Sequence, residues 1–557
     1  MNAIANQSIL QSRTPHKGLK ILLIVVLVLG IFFRFVNLDR KVYWYDEAFT
    51  LLRVSGYTEQ ELYQQEYDGR IIGVEDLQSY QHLNPDKTLG DTVESLATEA
   101  PNHVPLYFVA ARVWLQVFGD SVGAIRSLSA VLSVLALPCL YWLCCELFQS
   151  PFVGWMAMAL FAISPFQVLY AQEARPYSLL AAAIFLSGAA LLRSLRLNTR
   201  SSWAMYAASL IFGIYSHLLF LFVAIGHGLY IVVLERFRLT RRVIAYGLAS
   251  TIGAVAFIPW LLVVSANAKT FKRIVSWASD GNNLLFSLIR SLGSLSRTFL
   301  DLNVDSQVPS GLLIPASFII LVLLLFMSYS LYFVFRHTPE KVWLFIFTLI
   351  GITALFTFLQ DAIQGGARLT IPRYLFTCYV GIQLPAAYLL ATRLISVPKQ
   401  TWQQQGWQWV AIAIFSCGVL SCTVSSQAQF WWHKGFKEFP PMVSAINQSN
   451  NPLLIADRRR AYMLSLSYLL DPEVKLQLVT VPSIAPVPSG FSDVFLCNPS
   501  DKLLEQFKQS QKYAIEPVST LGKFKEKLWY LEEKQVSSSR EQFPSKRCDF
   551  RGCLTKV

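Results

Sequence analysis

Charge is scarce in this sequence. Asp, Glu, Lys and Arg together make up 15% of its 557 residues, while 54% are hydrophobic; a soluble globular domain carries about 25% charged residues. That deficit excludes an ordinary soluble enzyme and points to a multi-pass membrane protein. Other absences narrow the field further. The formal net charge of +13 is not gathered into a basic stripe interleaved with aromatics, which excludes a nucleic-acid surface. The nine cysteines include no CxxC pair and no Cys/His spacing suited to zinc. Cys139, Cys144, Cys145, Cys378, Cys417 and Cys422 lie in or beside apolar segments as small hydrophobes. No internal repeat is visible. The apolar stretch after Arg13, Lys17 and Lys20 is followed by no small-x-small cleavage site, so it reads as an uncleaved first span.

What is present is a series of apolar runs of spanning length, at residues 20–37, 124–148, 152–169, 176–195, 243–265, 310–336, 342–360, 371–396 and 406–426. The stretch 203–235 is too long for one crossing, and it is flanked by Arg193, Arg196 and Arg200 on one side and by Arg236, Arg238, Arg241 and Arg242 on the other. Both flanks are then cytoplasmic, so the stretch crosses twice, turning near Tyr215, Ser216 and His217. Segment 104–118, short and carrying Arg112, reads as an amphipathic helix on the outer surface. The expected fold is therefore an all-α polytopic membrane protein of about 11 spans, with the N-terminus cytoplasmic and the C-terminus on the outside.

This topology places the large loop 38–123, the short loop 170–176, the loop 266–309 and the tail from 427 on the outer face. A membrane domain 1–426 and a soluble domain 427–557 follow. In the tail, NPLLIAD, VKLQLVTV, DVFLCN, YAIEPVST and KLWYLEE read as strands, and KEFPPMVSAINQS and DKLLEQFKQSQ as helices, which makes a small α/β domain. Its end, from Ser537, looks loosely ordered, with Cys548 and Cys553 able to pair in an oxidising compartment.

Three polar stretches share the outer face: YDE at 45–47 with NHVPLY at 102–107, QEARPY at 172–177, and ARLTIPRY at 367–374. Each borders strongly apolar sequence, where an ionisable residue marks a candidate functional site. Plainer roles compete with that reading. Asp46 and Glu47 follow the aromatics Tyr43 and Trp44, as solvated acids behind an interfacial belt would. Glu173 and Arg175 suit a salt bridge at a helix start, Arg373 a snorkelling cation, and His103 an ordinary loop. Together, however, acids beside several arginines suit an anionic headgroup and a reaction that needs a base. Transfer of a sugar from a polyprenyl phosphate fits: the leaving phosphate is stabilised by arginine and needs no proton, so one carboxylate suffices to take the acceptor's proton.

YDEAFT after the first span, then PNHVPLYFVAARVWLQVFGDSVGAIRSLSAV, YAQEARPYSLL and IPRYLF, resemble the GT-C membrane glycosyltransferases. More narrowly they resemble the glycosyltransferase family 39 group, related to protein O-mannosyltransferases and the lipid A aminoarabinose transferase. The resemblance covers roughly residues 15–430 and rests on the order of the motifs. It implies Asp46 as catalytic base, Glu47 beside it in support, and Glu173 as a second acid of the same catalytic cavity. It implies Arg373, Arg175 and His103 at the donor phosphate, with Tyr45, Tyr107, Tyr177 and Tyr374 as further cavity residues. The reaction implied is inverting transfer from a polyprenyl-phosphate-linked sugar to a lipid, glycan or protein acceptor at the outer face of a bacterial inner membrane, with membrane lipids and no nucleic acid as partners. The oligosaccharyltransferase branch of the superfamily uses a divalent cation and the sugar-phosphate branch does without one. No essential cofactor is therefore expected, a divalent cation being the alternative. Two departures stand out: His103 and Val104 precede Pro105 where the family often has two prolines, and Phe49 stands near the place of an arginine in the aminoarabinose transferases. A flippase for a lipid-linked sugar is the alternative function, but the two halves look unalike and the polar residues gather at one end of the spans.

Overall fold

The computed structural model describes residues 17–276, 283–303, 310–395, 402–457, 461–481, 486–510 and 512–534. They separate into a helical unit, comprising the described parts of 1–65, 75–437 and 459–469, and a sheet unit, comprising those of 66–74, 438–458 and 470–557. This division differs from a cut at 426/427. Residues 427–437 and 461–469 belong with the helices, and residues 66–74 of the first outer loop belong with the sheet.

The chain is a multi-pass membrane protein. Eight helices are long and apolar enough to cross a bilayer: Lys17–Phe35, Val122–Phe148, Tyr177–Leu197, Arg241–Ala266, Leu313–His337, Glu340–Gln364, Pro372–Leu394 and Trp402–Gln427. Helices Pro151–Ala162 and Pro165–Ala171 make a ninth if their 65° bend is counted within one span. The stretch 203–235 forms two helices, Arg200–Ser216 and Phe220–Leu234, of 17 and 15 residues. Both fall short of the ~20 residues that span a hydrocarbon core. Length and apolarity therefore identify eight or nine spans among the described residues, against the eleven expected; with the bent pair counted as the ninth, the remaining two of the expectation are these short helices.

The bend has an identifiable cause. Pro165 has no N–H, and its ring disfavours helical backbone in the residue before it, so the regular helical ladder breaks in the preceding turn, where Phe161 O keeps a long bond from the Ser164 N–H at 3.4 Å. Arg34, fully buried in the first span, supplies donors instead: Nη1 to Ala162 O at 2.5 Å, Nη2 to Phe161 O at 3.1 Å and Nε to Ser133 Oγ at 2.8 Å. A broken helix is tolerated in a membrane where such groups meet its freed carbonyls. Close approach of the first span also needs Gly30, where a Cβ would lie 2.5 Å from Ala162.

Segment 104–118 forms the helix Leu106–Phe118, with Val113, Val117 and Phe118 exposed. Arg112 does not face water as an interfacial cation would. It is buried, donating to Val54 O at 2.7 Å and to Lys87 O, and so caps the C-terminus of helix Tyr45–Val54.

The sheet unit has six strands: β1 Ile71–Gly73, β2 Pro452–Ala456, β3 Lys475–Leu478, β4 Asp493–Cys497, β5 Tyr513–Pro517 and β6 Leu528–Glu533. Their order is β1-β3-β2-β4-β6-β5, with β2 parallel to both neighbours and the other pairs antiparallel. All five residues of β2 are buried, as expected for a central strand covered on both faces. The five tail strands coincide with the expected runs. The sixth, β1, comes from the first outer loop and pairs Ile72 with Leu476. Helices Phe439–Asn447 and Asp501–Gln509 match the two expected in the tail. Cys548, Cys553 and the chain end lie outside the described residues.

Candidate active site

Helix Tyr45–Val54 carries Asp46 and Glu47 in its first turn, where the helix dipole favours negative charge. Adjacent helical residues point about 100° apart, and the two acids accordingly enter different surroundings. Asp46 Oδ2 accepts from Arg373 Nη1 at 2.8 Å and lies 3.9 Å from Arg175 Nη2. The Asp46 and Arg373 side chains keep 16% and 20% of their surface exposed, so this pair is open to a substrate. Arg175 is steered by Nη1 bonds to Thr50 Oγ1 at 3.2 Å and Asp46 O at 3.4 Å. His103 stands 3.5 Å from its Nη2, and burial together with the Arg175 charge pushes that imidazole well below its usual pKa. Three of the expected stretches thus converge on one carboxylate.

Glu47 is committed elsewhere. Its fully buried carboxylate accepts from Arg126 Nε at 2.7 Å, Arg126 Nη2 at 2.8 Å, Lys434 Nζ at 2.5 Å and the Ala174 N–H at 3.0 Å. Burial alone raises its pKa, but the charges and hydrogen bonds of Arg126 and Lys434 outweigh that effect and bring it down to about 2. Arg126 also donates to the carbonyls of Leu38, Lys41 and Val42, so the Glu47–Arg126 pair fastens the first outer loop to helix Val122–Phe148. Lys41 lies against the same cluster. Burial first, then the charges of Lys434 and Arg126, bring its ammonium down to about 7, and Nζ donates to Gln172 Oε1 at 2.8 Å.

Glu173 is buried beside this cluster, with the His433 ring nitrogen Nε2 3.7 Å from its Oε2. Burial pushes its carboxyl up to about 7, with Glu47 and Asp46 adding to the rise and Lys434 opposing it. Among the tyrosines, Tyr107 is buried and its hydroxyl pairs with Ser129 Oγ at 2.8 Å, which in turn reaches the Arg175 carbonyl at 3.3 Å. Tyr177 is buried, with its ring 4.7 Å from Tyr170 and 5.5 Å from His217. Tyr374, next to Arg373, is half-buried. Tyr45 is half-buried and packs on Phe49 and Phe436.

Two further corrections concern the aromatics. Tyr43 and Trp44 are not interfacial anchors: both are buried. The Trp44 ring lies 5.9 Å from the Arg373 guanidinium and 5.6 Å from Lys434 Nζ, within cation–π range of both. Sequence reasoning missed Arg126, His433 and Lys434. One signal was available for the last two, because WWHK follows the last span as YWYDE follows the first.

The arrangement can hold an anion between Arg373 and Arg175, with a carboxylate placed to take a proton beside it. Among the described residues no group of three or more His, Cys, Asp or Glu side chains is disposed around a metal position.

Residues 102–263 match the family model described as dolichyl-phosphate-mannose-protein mannosyltransferase. No curated protein matches the sequence. Among solved structures, ArnT from Cupriavidus metallidurans in the apo state is similar at 11% identity over 92% of this chain and 97% of that one, with a TM-score of 0.52. The same protein bound to undecaprenyl phosphate gives 11% identity, 94% and 99% coverage, and a TM-score of 0.50. The oligosaccharyltransferase AglB from Archaeoglobus fulgidus gives 12% identity and a TM-score of 0.45, with 82% of this chain matched to 65% of that one. At these identities the likeness to ArnT is one of fold, and it covers nearly the whole of both chains.

Proposed function

We propose that the chain is a membrane glycosyltransferase of the GT-C type and transfers a sugar from a polyprenyl-phosphate donor to an acceptor at the outer face of a bacterial inner membrane, a reading supported by the family model over residues 102–263 and by the likeness in fold to ArnT. The observation that carries this reading is the convergence of Arg373 and Arg175 on Asp46. Two guanidiniums recognise a phosphate by paired charge-assisted hydrogen bonds. On donor binding the phosphate draws Arg373 from the carboxylate, which leaves Asp46 free to accept a proton.

Asp46 then takes the proton of the acceptor hydroxyl or amine as the new bond forms at the sugar's anomeric carbon. The bond to the phosphate oxygen breaks on the opposite face, and the electron pair leaves with the polyprenyl phosphate, so the configuration inverts. In this reading the two arginines supply the positive charge that a metal ion supplies to other transferases, and no cofactor is essential. Glu47 builds the site rather than acting in it, since all its lone pairs point at donors. The ArnT structure bound to undecaprenyl phosphate supports a lipid phosphate as the donor class. The outer-face placement follows from the positive-inside topology, with the N-terminus cytoplasmic.

The test is reconstitution of the full chain in liposomes with a polyprenyl-phosphate sugar. The wild type releases polyprenyl phosphate and forms a new glycoside, and Asp46→Asn lowers the rate by about 10²- to 10⁴-fold while inserting normally. Full activity in Asp46→Asn sinks the base, and movement of intact donor between leaflets without new glycoside sinks the transferase.

A further inference from the structure

The segment that follows the last span is held in the site by an unusual clamp. Asp301 Oδ2 accepts from both indole N–H groups, Trp431 Nε1 at 2.7 Å and Trp432 Nε1 at 2.5 Å. The Asp301 N–H is itself tied to Ser421 Oγ at 3.0 Å, and Asn303 Oδ1 accepts from the Trp432 N–H at 3.0 Å. The Arg297 guanidinium covers the Trp432 ring at 3.9 Å. With both indoles fixed, a tight turn closed by the Lys434 N–H on Trp431 O at 3.0 Å presents Lys434 to Glu47 and His433 to Glu173.

The contact at Glu173 is incomplete. Glu173 Oε2 and both ring nitrogens of His433 are buried, and among the described residues none of the three has a hydrogen-bond partner. The side chains are 1% and 3% exposed. Orphaned buried polar atoms are costly and uncommon, and here they face one another at 3.7 Å, so a shift of about 1 Å makes a hydrogen bond. The charges around Glu173 are mixed. Asp46 and Glu47 face it from helix Tyr45–Val54, Lys434 and His433 from the clamped segment, Arg175 from its own loop, and the hydroxyls of Tyr107, Tyr170 and Tyr177 from the surrounding helices. Burial, followed by the charges of Lys434, Lys41, Arg126 and Arg297, keeps His433 neutral. A neutral imidazole can donate from one nitrogen and accept at the other.

We propose that His433 is a positioning residue for Glu173, donating from Nε2 to Oε2 when the carboxylate is ionised and, as the other neutral tautomer with its proton on Nδ1, accepting at Nε2 when the carboxyl is protonated. The second carboxylate of the site then exchanges a proton without changing place, and the Asp301 clamp keeps His433 within reach. This deepens the transferase reading, and it rests on Glu173 lying at the donor site.

The test needs no substrate. In the full chain in nanodiscs, the carbonyl stretch of the protonated Glu173 carboxyl is followed against pH by infrared spectroscopy, with Glu173→Gln as the blank. His433→Leu removes both bonds, and since the one to the ionised carboxylate is the stronger, protonation persists to higher pH and the midpoint rises by about one pH unit. His433→Gln retains an N–H and brings the midpoint back toward the wild type. Asp301→Asn, which alters neither partner, moves it part of the way in the same upward direction. An unmoved midpoint in His433→Leu, or an equal shift in His433→Gln, overturns the proposal. Failure of the wild type to transfer sugar would sink the proposed function while leaving these midpoints standing.

Discussion

Arg373 and Asp46 stand 327 residues apart in the chain and 2.8 Å apart in the fold. The bond joins the start of the penultimate described span, Pro372–Leu394, to the helix after the first, and each charge compensates the other. In the proposed transferase, donor affinity would then depend on a guanidinium that is already positioned.

Arg373→Ala is accordingly expected to raise the donor KM by about 10- to 100-fold, the range for losing a hydrogen bond to a charged group. Arg373→Lys recovers only part, because an ammonium cannot make paired planar contacts. The dependence of initial rate on donor concentration checks both. Unchanged donor affinity in Arg373→Ala removes this residue from the phosphate site.

Glu47→Gln leaves the buried cations Arg126 and Lys434 without their counter-charge. A loss of about 3 kcal/mol or more is expected, seen as a lower midpoint in thermal unfolding of the detergent-solubilised protein. Adding Lys434→Met removes one of the stranded charges and restores part of the loss, so the two changes are not additive. The pH sign follows from the depressed carboxyl. Folded near 2 and unfolded near the usual ~4.3, Glu47 contributes its full stabilisation above about pH 4 and loses it as pH falls toward 2. Between pH 5 and 8 this pair gives no slope.

Lys41 works in the opposite sense. With a folded pKa of about 7 against ~10.4 when unfolded, the unfolded chain binds more protons between those values, and stability rises with pH across that window. Lys41→Met removes this slope and stabilises the protein at pH 6, where the wild type carries a third cation beside Lys434 and Arg126. Unfolding midpoints compared at pH 6 and pH 9 decide it; an identical pH slope in the variant refutes the assignment.

Arg34→Met takes the guanidinium donors from the carbonyls of Ala162 and Phe161, leaving the latter only partly met by the Ser164 N–H at 3.4 Å, and Gly30→Val drives a side chain into Ala162. Each is expected to cost about 3 kcal/mol or more, with faster proteolysis near the 162–165 bend. Arg34→Lys, which retains fewer donors, falls between. Wild-type proteolysis rates in Arg34→Met would show that the break needs no cap.

Much of the membrane architecture was legible because spanning segments carry a local mark: some 20 apolar residues in a row leave little choice of environment. The 203–235 stretch shows the same logic at finer grain, since arginines at both ends required a turn and a turn is found at His217. The five tail strands were legible from their β-branched and aromatic runs. β1 was not, because three residues, Ile71, Ile72 and Gly73, make no pattern by themselves and become a strand only when β3 offers its edge. Arg112 was misjudged for a related reason: amphipathicity shows which residue is polar, but not whether water or the end of another helix satisfies it.

The sequence by itself determined that charged residues at 45–47, 172–177 and 367–374 border strongly apolar segments, because hydropathy is a property of neighbours along the chain. Only the tertiary structure decided which acid of the YDE stretch is available. Asp46 and Glu47 are chemically alike and adjacent; a rotation of about 100° on one helix turns the first to Arg373 and Arg175 and sinks the second between Arg126 and Lys434. It likewise decided that His433 and Lys434 belong to the site, brought there by the hold of Asp301 on two indoles. Such contacts join residues from 79 to 387 positions apart. They arise from packing and desolvation in the finished fold, which leave no periodic trace in the chain.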